Sequence, residues 1–171
     1  MAQTVEGTQG ELVRRHTAAV NVVKLVGVFT LLLMLVALSG VLNGVVRFNP
    51  TAANTLRLVI VFLGIGSLVY RRTKFSAMRL QDIGALRGAT GLLETLQMTT
   101  IIVALIGALI AIFGLVISIM TSAGTDMLYF GVIAFAVLIY CYPRRAAWQA
   151  VVRATESGDA DPVEAAKGTL A

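Results

Sequence analysis

The amino-acid sequence predicts an all-α integral membrane protein with four transmembrane helices and further amphipathic helices at the cytoplasmic surface. Hydrophobic residues make up 57% of the 171 residues, and the mean hydropathy is +0.85, whereas soluble domains contain about 45–50% apolar residues. Residues 98–120 carry no charge and are numerous enough to cross a hydrocarbon core of about 30 Å as a helix. We therefore expect residues 1–171 to form a single membrane domain.

The first span is predicted at 25–46, between Lys24 and Arg47, whose charged ends can reach the headgroups. The preceding residues 1–17 are polar, and we expect them to be frayed at their start. Near the end of this span, small residues allow another helix backbone to approach closely, and we take them as packing residues: Ala37, Gly40 and Gly44.

The second span, 51–70, includes an arginine. It follows the turn at Asn49 and Pro50, and residues 58–70 alone would be too few to cross a bilayer, so Arg57 must lie within the helix. An ionisable side chain at that depth indicates a functional site. The alternative is an arginine that reaches the outer phosphates along its aliphatic stem, and the sequence does not decide between the two.

The connection 71–97 mixes charged and apolar residues at helical spacing, which is typical of an amphipathic helix in the membrane interface. Because glycine weakens a helix by up to ~1 kcal/mol relative to alanine, we expect a break near Thr90 and Gly91. A new helix then continues into the third span.

The third span, 98–120, carries a stripe of small residues at steps of three or four. Helices in lipid associate through close packing, so this stripe predicts a helix lying against it. We call these residues the small-residue stripe: Ala104, Gly107, Ala108, Ala111, Gly114 and Ser118.

Within this span, residues 104–116, ending in Phe113-Gly114-Leu115-Val116, resemble the ion-carrying helix of the rotor-ring proteolipids of rotary ATPases. In that family an acidic residue precedes an apolar stretch ending in Tyr-Gly-Leu-Val. The position of that acid falls on Ala108 here. The resemblance therefore implies no ion site, and the chain is not assigned to that family.

The fourth span is predicted at 127–142, with Tyr129 at one end and Tyr140 and Tyr142 at the other as interfacial aromatic belts. Pro143 ends this helix or opens the next. Residues 143–171 are expected to form a C-terminal interfacial helix followed by a mobile tail.

The two helical hairpins have similar lengths and endings. The second helix of the first hairpin ends on Tyr70, Arg71 and Arg72, and that of the second hairpin on Tyr142 and, after Pro143, Arg144 and Arg145. This match supports the hypothesis of two parallel hairpins produced by duplication. Hydropathy alone could also produce it.

Basic residues predict the orientation. Of the 14 Lys and Arg residues, all but Arg47 and Arg57 lie in the N-terminal segment, the 71–97 connection or the C-terminal segment. The positive-inside rule places those segments, and both termini, on the cytoplasmic side of a cytoplasmic-type inner membrane. Because orientation explains the charge, nucleic acid is set aside as a partner. Candidate contacts with anions or anionic lipids are Arg57, Arg71, Arg72, Lys74, Arg144 and Arg145.

Catalytic chemistry has little support in the sequence. Cys141 is the only cysteine and His16 the only histidine, which leaves no disulfide framework and no His-rich metal site. No carboxylate lies within a span, and no nucleophile has a nearby base. We predict no enzyme activity and no cofactor. Bound lipid is expected, and bound pigment or quinone stays open because backbone carbonyls can hold such molecules.

These observations favour a non-catalytic accessory or scaffold subunit of a larger membrane complex, acting through helix–helix packing with other membrane subunits in a hetero-complex. The alternative is a homo-oligomeric channel or small-solute transporter in which Arg57 contacts the anion.

Overall fold

The computed structural model describes residues 2–41, 50–74 and 77–157, and within these residues the chain is helical with no strand. The helices are α1 (Ala2–Leu38), α2 (Pro50–Lys74), α3 (Ala77–Thr121), α4 (Gly124–Cys141) and α5 (Arg145–Ser157). In the described residues four segments are long and apolar enough to cross a membrane: Gln9–Leu38, Thr51–Lys74, Gly88–Thr121 and Gly124–Arg153. The predicted all-α class is confirmed, and the four helices are compatible with a multi-pass membrane protein.

Helix α1 differs from the prediction at both ends. The segment 1–17, expected to be frayed at its start, is helical from Ala2 onward. At the other end the helix stops at Leu38 rather than at 46, because Gly40 has a φ of 71°, the left-handed conformation in which glycine commonly ends helices. Gly40 therefore lies beyond the helix, while Gly44 and the predicted end of the first span lie outside the described residues.

Helix α3 has its break at Gly88, not at Thr90 and Gly91 as predicted. Gly88 has a φ of 64° and a ψ of −169°, a conformation accessible essentially to glycine alone. A glycine in the amphipathic connection was correctly predicted to cause the break, but the glycine responsible is Gly88 and not Gly91. Gly91 is helical and lies in the long helical segment that continues through the predicted third span.

Prolines mark the ends of two other helices. Pro50 is the first residue of α2, a position where its missing N–H is not needed. Pro143 lies between α4 and α5. The C-terminal helix is thus present, and the predicted mobile tail falls on 158–171, outside the described residues.

The chain divides into two compact units. The first comprises the described parts of Met1–Val22, Tyr70–Ile101 and Tyr142–Ala171. Its core joins side chains from α1, α3 and α5, with Trp148 only 4% exposed: Leu12, Ala19, Leu93, Leu96, Trp148 and Val152. The apolar side of the C-terminal helix is therefore covered by protein, and Leu12 of the N-terminal segment is buried in the same core.

The second unit comprises the described parts of Val23–Val69 together with Ile102–Cys141, and in it α4 contacts α1, α2 and α3. Gly131 of α4 faces Met34 of α1, Ile133 faces Gly64 of α2, and Leu138 faces Gly107 of α3. Helix α4 accordingly buries many of its residues: Met127, Phe130, Gly131, Ala134, Val137, Leu138 and Cys141. By contrast, α1 and α2 keep many large apolar side chains exposed, including Leu25 and Phe62.

Candidate functional site

The small-residue stripe of α3 lies against α4 of the same chain. A Cβ atom added to Gly114 would come within 2.7 Å of the Cβ of Phe130, and one added to Gly107 would lie 3.4 Å from Cδ2 of Leu138. Ala104 and Ala111 are fully buried, and Ala108 is half-buried. The Ser118 hydroxyl, also buried, donates a hydrogen bond to the Ala123 carbonyl oxygen at 3.0 Å. The helix predicted to meet the stripe is thus an internal one.

Helix α4 makes an equally close contact with α1. A Cβ atom added to Gly131 would lie 2.5 Å from Sδ of Met34, and one added to Gly124 would lie 3.0 Å from the Ala37 carbonyl oxygen. Ala37, one of the predicted packing residues, is buried there. The residues of α4 that form this contact were not predicted from the sequence. The spacing of Gly124, Gly131 and Ala134, seven and then three residues, was the available signal.

Arg57 forms an ion pair with Asp126. Its Nη2 atom donates to both carboxylate oxygens, at 2.8 Å to Oδ2 and 3.0 Å to Oδ1. Its Nη1 atom donates to Oδ1 of Asn54 at 3.1 Å, and the Thr121 hydroxyl donates to Oδ2 of Asp126 at 2.8 Å. The Arg57 side chain is 41% exposed and that of Asp126 only 15%. We call these four residues the Arg57 network.

The Arg57 network joins three helices of the second unit. Arg57 belongs to α2, Thr121 is the last residue of α3, and Asp126 lies in the first turn of α4, where a negative charge is favourable beside the unpaired N–H groups. The sequence placed Arg57 within the helix but did not identify its partner. The available signal was that Asp126 is the only acidic residue on the predicted outer side.

The predicted lipid-contacting residues all belong to the first unit, apart from Arg57. Arg71, Arg72 and Lys74 occupy the last turn of α2, where positive charge is favourable beside the carbonyl ends. The Lys74 ammonium also lies 5.7 Å from the centre of the Tyr70 ring. Arg145 is the first residue of α5, Arg144 directly precedes it, and both are exposed.

His16 holds the start of α5 to α1. Its Nε2 atom donates to the Pro143 carbonyl oxygen at 2.9 Å, and its ring meets Trp148 edge-on, with centroids 5.5 Å apart. Nearby, Arg15 bonds Glu11 at 2.7 Å and Oε1 of Gln97 on α3 at 3.4 Å. From the sequence, His16 was considered only as a metal ligand, and its contact with Pro143 and Trp148 was not predicted.

Comparisons of the chain with protein-family models, with curated proteins and with solved structures found no match. Within the described residues, no three His, Cys, Asp or Glu side chains come close enough together to hold a metal ion. The site must therefore be interpreted from its own geometry.

Proposed function

We propose that the chain is a multi-pass protein of a cytoplasmic-type inner membrane with both termini in the cytoplasm. The distribution of basic residues supports this proposal, because basic residues are retained on the cytoplasmic side during insertion. The segments predicted to face the cytoplasm contain all of the 14 Lys and Arg residues except Arg47 and Arg57. In this orientation α5 and the part of α3 before Gly88 lie at the cytoplasmic interface.

We further propose that the protein is a non-catalytic accessory or scaffold subunit of a larger membrane complex. It contacts other membrane subunits through helix packing, and the observation that carries this proposal is Gly66 of α2. Gly66 is exposed, and a Cβ atom added there would meet nothing within 4 Å. It lies among large exposed apolar side chains, including Phe62, Ile65 and Val69.

A glycine in a helix interior needs a reason, because it is less favourable than alanine by ~1 kcal/mol. Gly107, Gly114 and Gly131 have a reason inside the chain, since another helix lies close to each of them. Among the described residues no helix lies close to Gly66. Close approach of a helix from another subunit accounts for a glycine at position 66, because small residues allow two backbones to pack tightly in lipid. The proposed contact surface is therefore on α2, and the small-residue stripe serves the chain's own fold.

The proposal is tested by purifying the full chain from its native membrane under gentle solubilisation and measuring the mass of the intact assembly. We expect other polypeptides in a fixed ratio to this chain. Gly66→Leu should reduce their recovery several-fold, because the added side chain blocks close approach. A lone chain or a pure homo-oligomer would contradict the subunit role.

Gly10→Leu is the matched control. Gly10 is also exposed, and a Cβ atom added there would likewise meet nothing within 4 Å, but it lies near the start of α1 rather than on α2. We expect normal recovery of partners with this variant. Equal losses from Gly10→Leu and Gly66→Leu would show that α2 is not the contact surface.

The channel or transporter alternative makes a different prediction. Arg57 has its charge balanced by Asp126, which supports a structural role better than anion selectivity. If the protein forms a pore by itself, vesicles reconstituted with the pure chain should show solute flux that changes with Arg57→Ala. We expect no such flux.

A further inference from the structure

We propose that the second unit binds the phosphate of an inner-leaflet phospholipid at Lys24, with an acyl chain lying in a seam between α1 and α4. The seam is the open side of the contact between these two helices. One basic and five apolar side chains define it, and all of them are exposed: Lys24, Leu31, Leu35, Leu128, Val132 and Ile139. The inference goes beyond the subunit role. It rests on the proposed location and orientation in a membrane, and it needs no partner protein.

The contacts between α1 and α4 determine which of their residues lie at the same level. Three glycines mark the close contacts: Gly124 with Ala37, Gly131 with Met34, and Gly27 with Phe135. The residue number falls along α1 as it rises along α4, so the two helices are antiparallel. Both helices rise by the same distance per residue, and three exposed pairs therefore lie at matching levels: Leu35 with Leu128, Leu31 with Val132, and Lys24 with Ile139.

The seam lies on the side of the α1–α4 pair that faces away from α3. Along α4, Phe130 contacts α3, Gly131 contacts α1, and Val132 is 59% exposed. Along α1, Met34 contacts α4, and Leu35 is 56% exposed. Each next residue of a helix is turned by about 100°. Because the helices are antiparallel, that turn points to the same side of the pair on both of them, and α3 occupies the other side.

Lys24 is the charged residue of the seam and lies at its cytoplasmic end. It is exposed, and neither 12–31 of α1 nor 127–142 contains an acidic residue. In the proposed orientation α1 ends on the outer side at Leu38. The helix from Leu25 to Leu38 covers only about 21 Å of a hydrocarbon core of about 30 Å. Lys24 therefore starts inside the core, and its stem extends the ammonium group to the level of the phosphates.

The length and chemistry of the seam favour a phospholipid. From Lys24 to Leu35 the helix rises by about 16 Å, close to half of a core of about 30 Å and hence to one leaflet. An acyl chain attached to a phosphate at Lys24 therefore reaches the far end of the seam. A free phosphate ion would have no apolar part to place between α1 and α4. A helix of another protein would need an acidic side chain opposite Lys24, whereas a phospholipid supplies the anion and the apolar chain in one molecule.

The inference is tested with the purified full chain in a neutral detergent. Phosphatidylglycerol is titrated, and the bound lipid is counted by native mass measurement. Lys24→Gln should bind it about tenfold more weakly, the loss expected when a charge-assisted hydrogen bond to phosphate is removed. Lys24→Arg keeps the charge and should bind within about threefold of the unmodified chain. Equal binding by the unmodified chain and Lys24→Gln would overturn the inference.

Arg14→Gln is the matched control for the charge, because Arg14 is also exposed and lies on α1, ten residues before Lys24. It should bind the lipid within about twofold of the unmodified chain, since an exposed charge outside the seam contributes little. Equal weakening by Arg14→Gln and Lys24→Gln would mean that overall charge, and not the seam, attracts the lipid, and it would overturn the inference.

A second pair of variants tests the apolar part of the seam. Val132→Trp fills the seam and should weaken lipid binding several-fold. Val36→Trp is the control, because Val36 is exposed on the side of α1 opposite Gly27, which contacts α4. Equal effects of the two variants would overturn the placement of the acyl chain. Circular dichroism reports whether each variant is folded, and if Val132→Trp misfolds, the comparison of Lys24→Gln with Arg14→Gln decides.

Two further measurements identify the occupant of the seam. Inorganic phosphate should displace the lipid only at far higher concentration, and tighter binding of the free ion would overturn the lipid assignment. If Val132→Trp reduced the recovery of other polypeptides from the native membrane but left lipid binding unchanged, a helix of another subunit would occupy the seam and the inference would be wrong. Gly66→Leu should do the reverse of the lipid variants, reducing recovery of partners without changing lipid binding. Failure of the lipid site and failure of the subunit role are thus distinguishable.

Discussion

Arg57 lies in an apolar helix, and Asp126 provides the charge that balances it. Removing an ion from water is costly, and the cost is offset only when the partner and the remaining hydrogen bonds are well placed. Here both Nη atoms have acceptors, and the carboxylate accepts a further bond from Thr121. Because Arg57 remains partly exposed, the net contribution of the pair is smaller than that of a fully buried one.

Asp126→Asn should lower the free energy of unfolding in detergent by about 1–2 kcal/mol, because Arg57 would keep its charge without a carboxylate. Arg57→Gln should have a similar effect. The double variant should lose less than the sum of the two, since neither charge is then left unpaired. Denaturant titration followed by circular dichroism measures all three.

Thr125→Ala is the control for this cycle, because Thr125 is exposed and adjacent to Asp126 in the chain. It should change the free energy of unfolding by less than 0.5 kcal/mol, in the usual range for surface positions. Strictly additive losses from the two single variants would mean that the pair is not coupled.

For single residues, the sequence predicts the depth in the membrane better than it predicts the interaction partner. Arg57 had to lie within α2 because the apolar run after it is too short to cross a bilayer, and α2 does begin at Pro50. Its pairing with Asp126 joins residues 69 positions apart, and no local pattern encodes a contact at that distance. The buried hydroxyls of Ser67, Thr99 and Thr100 donate hydrogen bonds to carbonyl oxygens of their own helices. These partners can be identified only once the backbone geometry is known.

Among the elements, α4 determines how the other helices of the second unit pack. Its small residues let α1 approach at Gly124 and Gly131, while its large residues Phe130 and Leu138 fill the positions opposite the glycines of α3. Small residues facing large ones allow the helices to interlock closely, which is the main source of stability between helices in lipid. Substitutions at these glycines should therefore affect the chain's own stability.

Gly114→Ala should destabilise the isolated chain by about 1–3 kcal/mol, because the new methyl group would overlap Phe130 and force the helices apart. Gly66→Ala is the same substitution in a helix interior with open space around it. It should be neutral or stabilise by up to ~1 kcal/mol through helix propensity. Unfolding midpoints of the two variants in one detergent make the comparison, and equal destabilisation would remove the packing argument.

The helices themselves were largely predictable, because periodicity and uninterrupted apolar length depend on nearby residues alone. The predicted helix ends and breaks are wrong where they depend on the backbone conformation of a single glycine. Gly40 and Gly88 adopt left-handed φ values while Gly91 stays helical, and the sequence around each does not distinguish them. The polar N-terminal segment was expected to fray at its start, and its burial was not predicted, because Leu12 is buried in a core with Trp148 that only the folded chain assembles.

For the whole molecule, composition predicts the class of protein and its charge asymmetry, whereas the partner stays a proposal. The small-residue stripe had the properties of an intersubunit contact, and only the fold shows that α4 lies against it. A stripe on a single helix cannot indicate whether the helix it meets belongs to the same chain. The same limit applies to Gly66, whose proposed role depends on a helix from another subunit.

The proposed orientation gives the last prediction. Replacing the only cysteine, Cys141, with serine yields a background for single-cysteine variants. Thr125, in the first turn of α4, should face the outside. Gln9, which is exposed near the start of α1, should face the cytoplasm. In intact cells a membrane-impermeant maleimide should label Thr125→Cys within minutes and Gln9→Cys only after permeabilisation. The reverse pattern would mean that the basic segments lie outside.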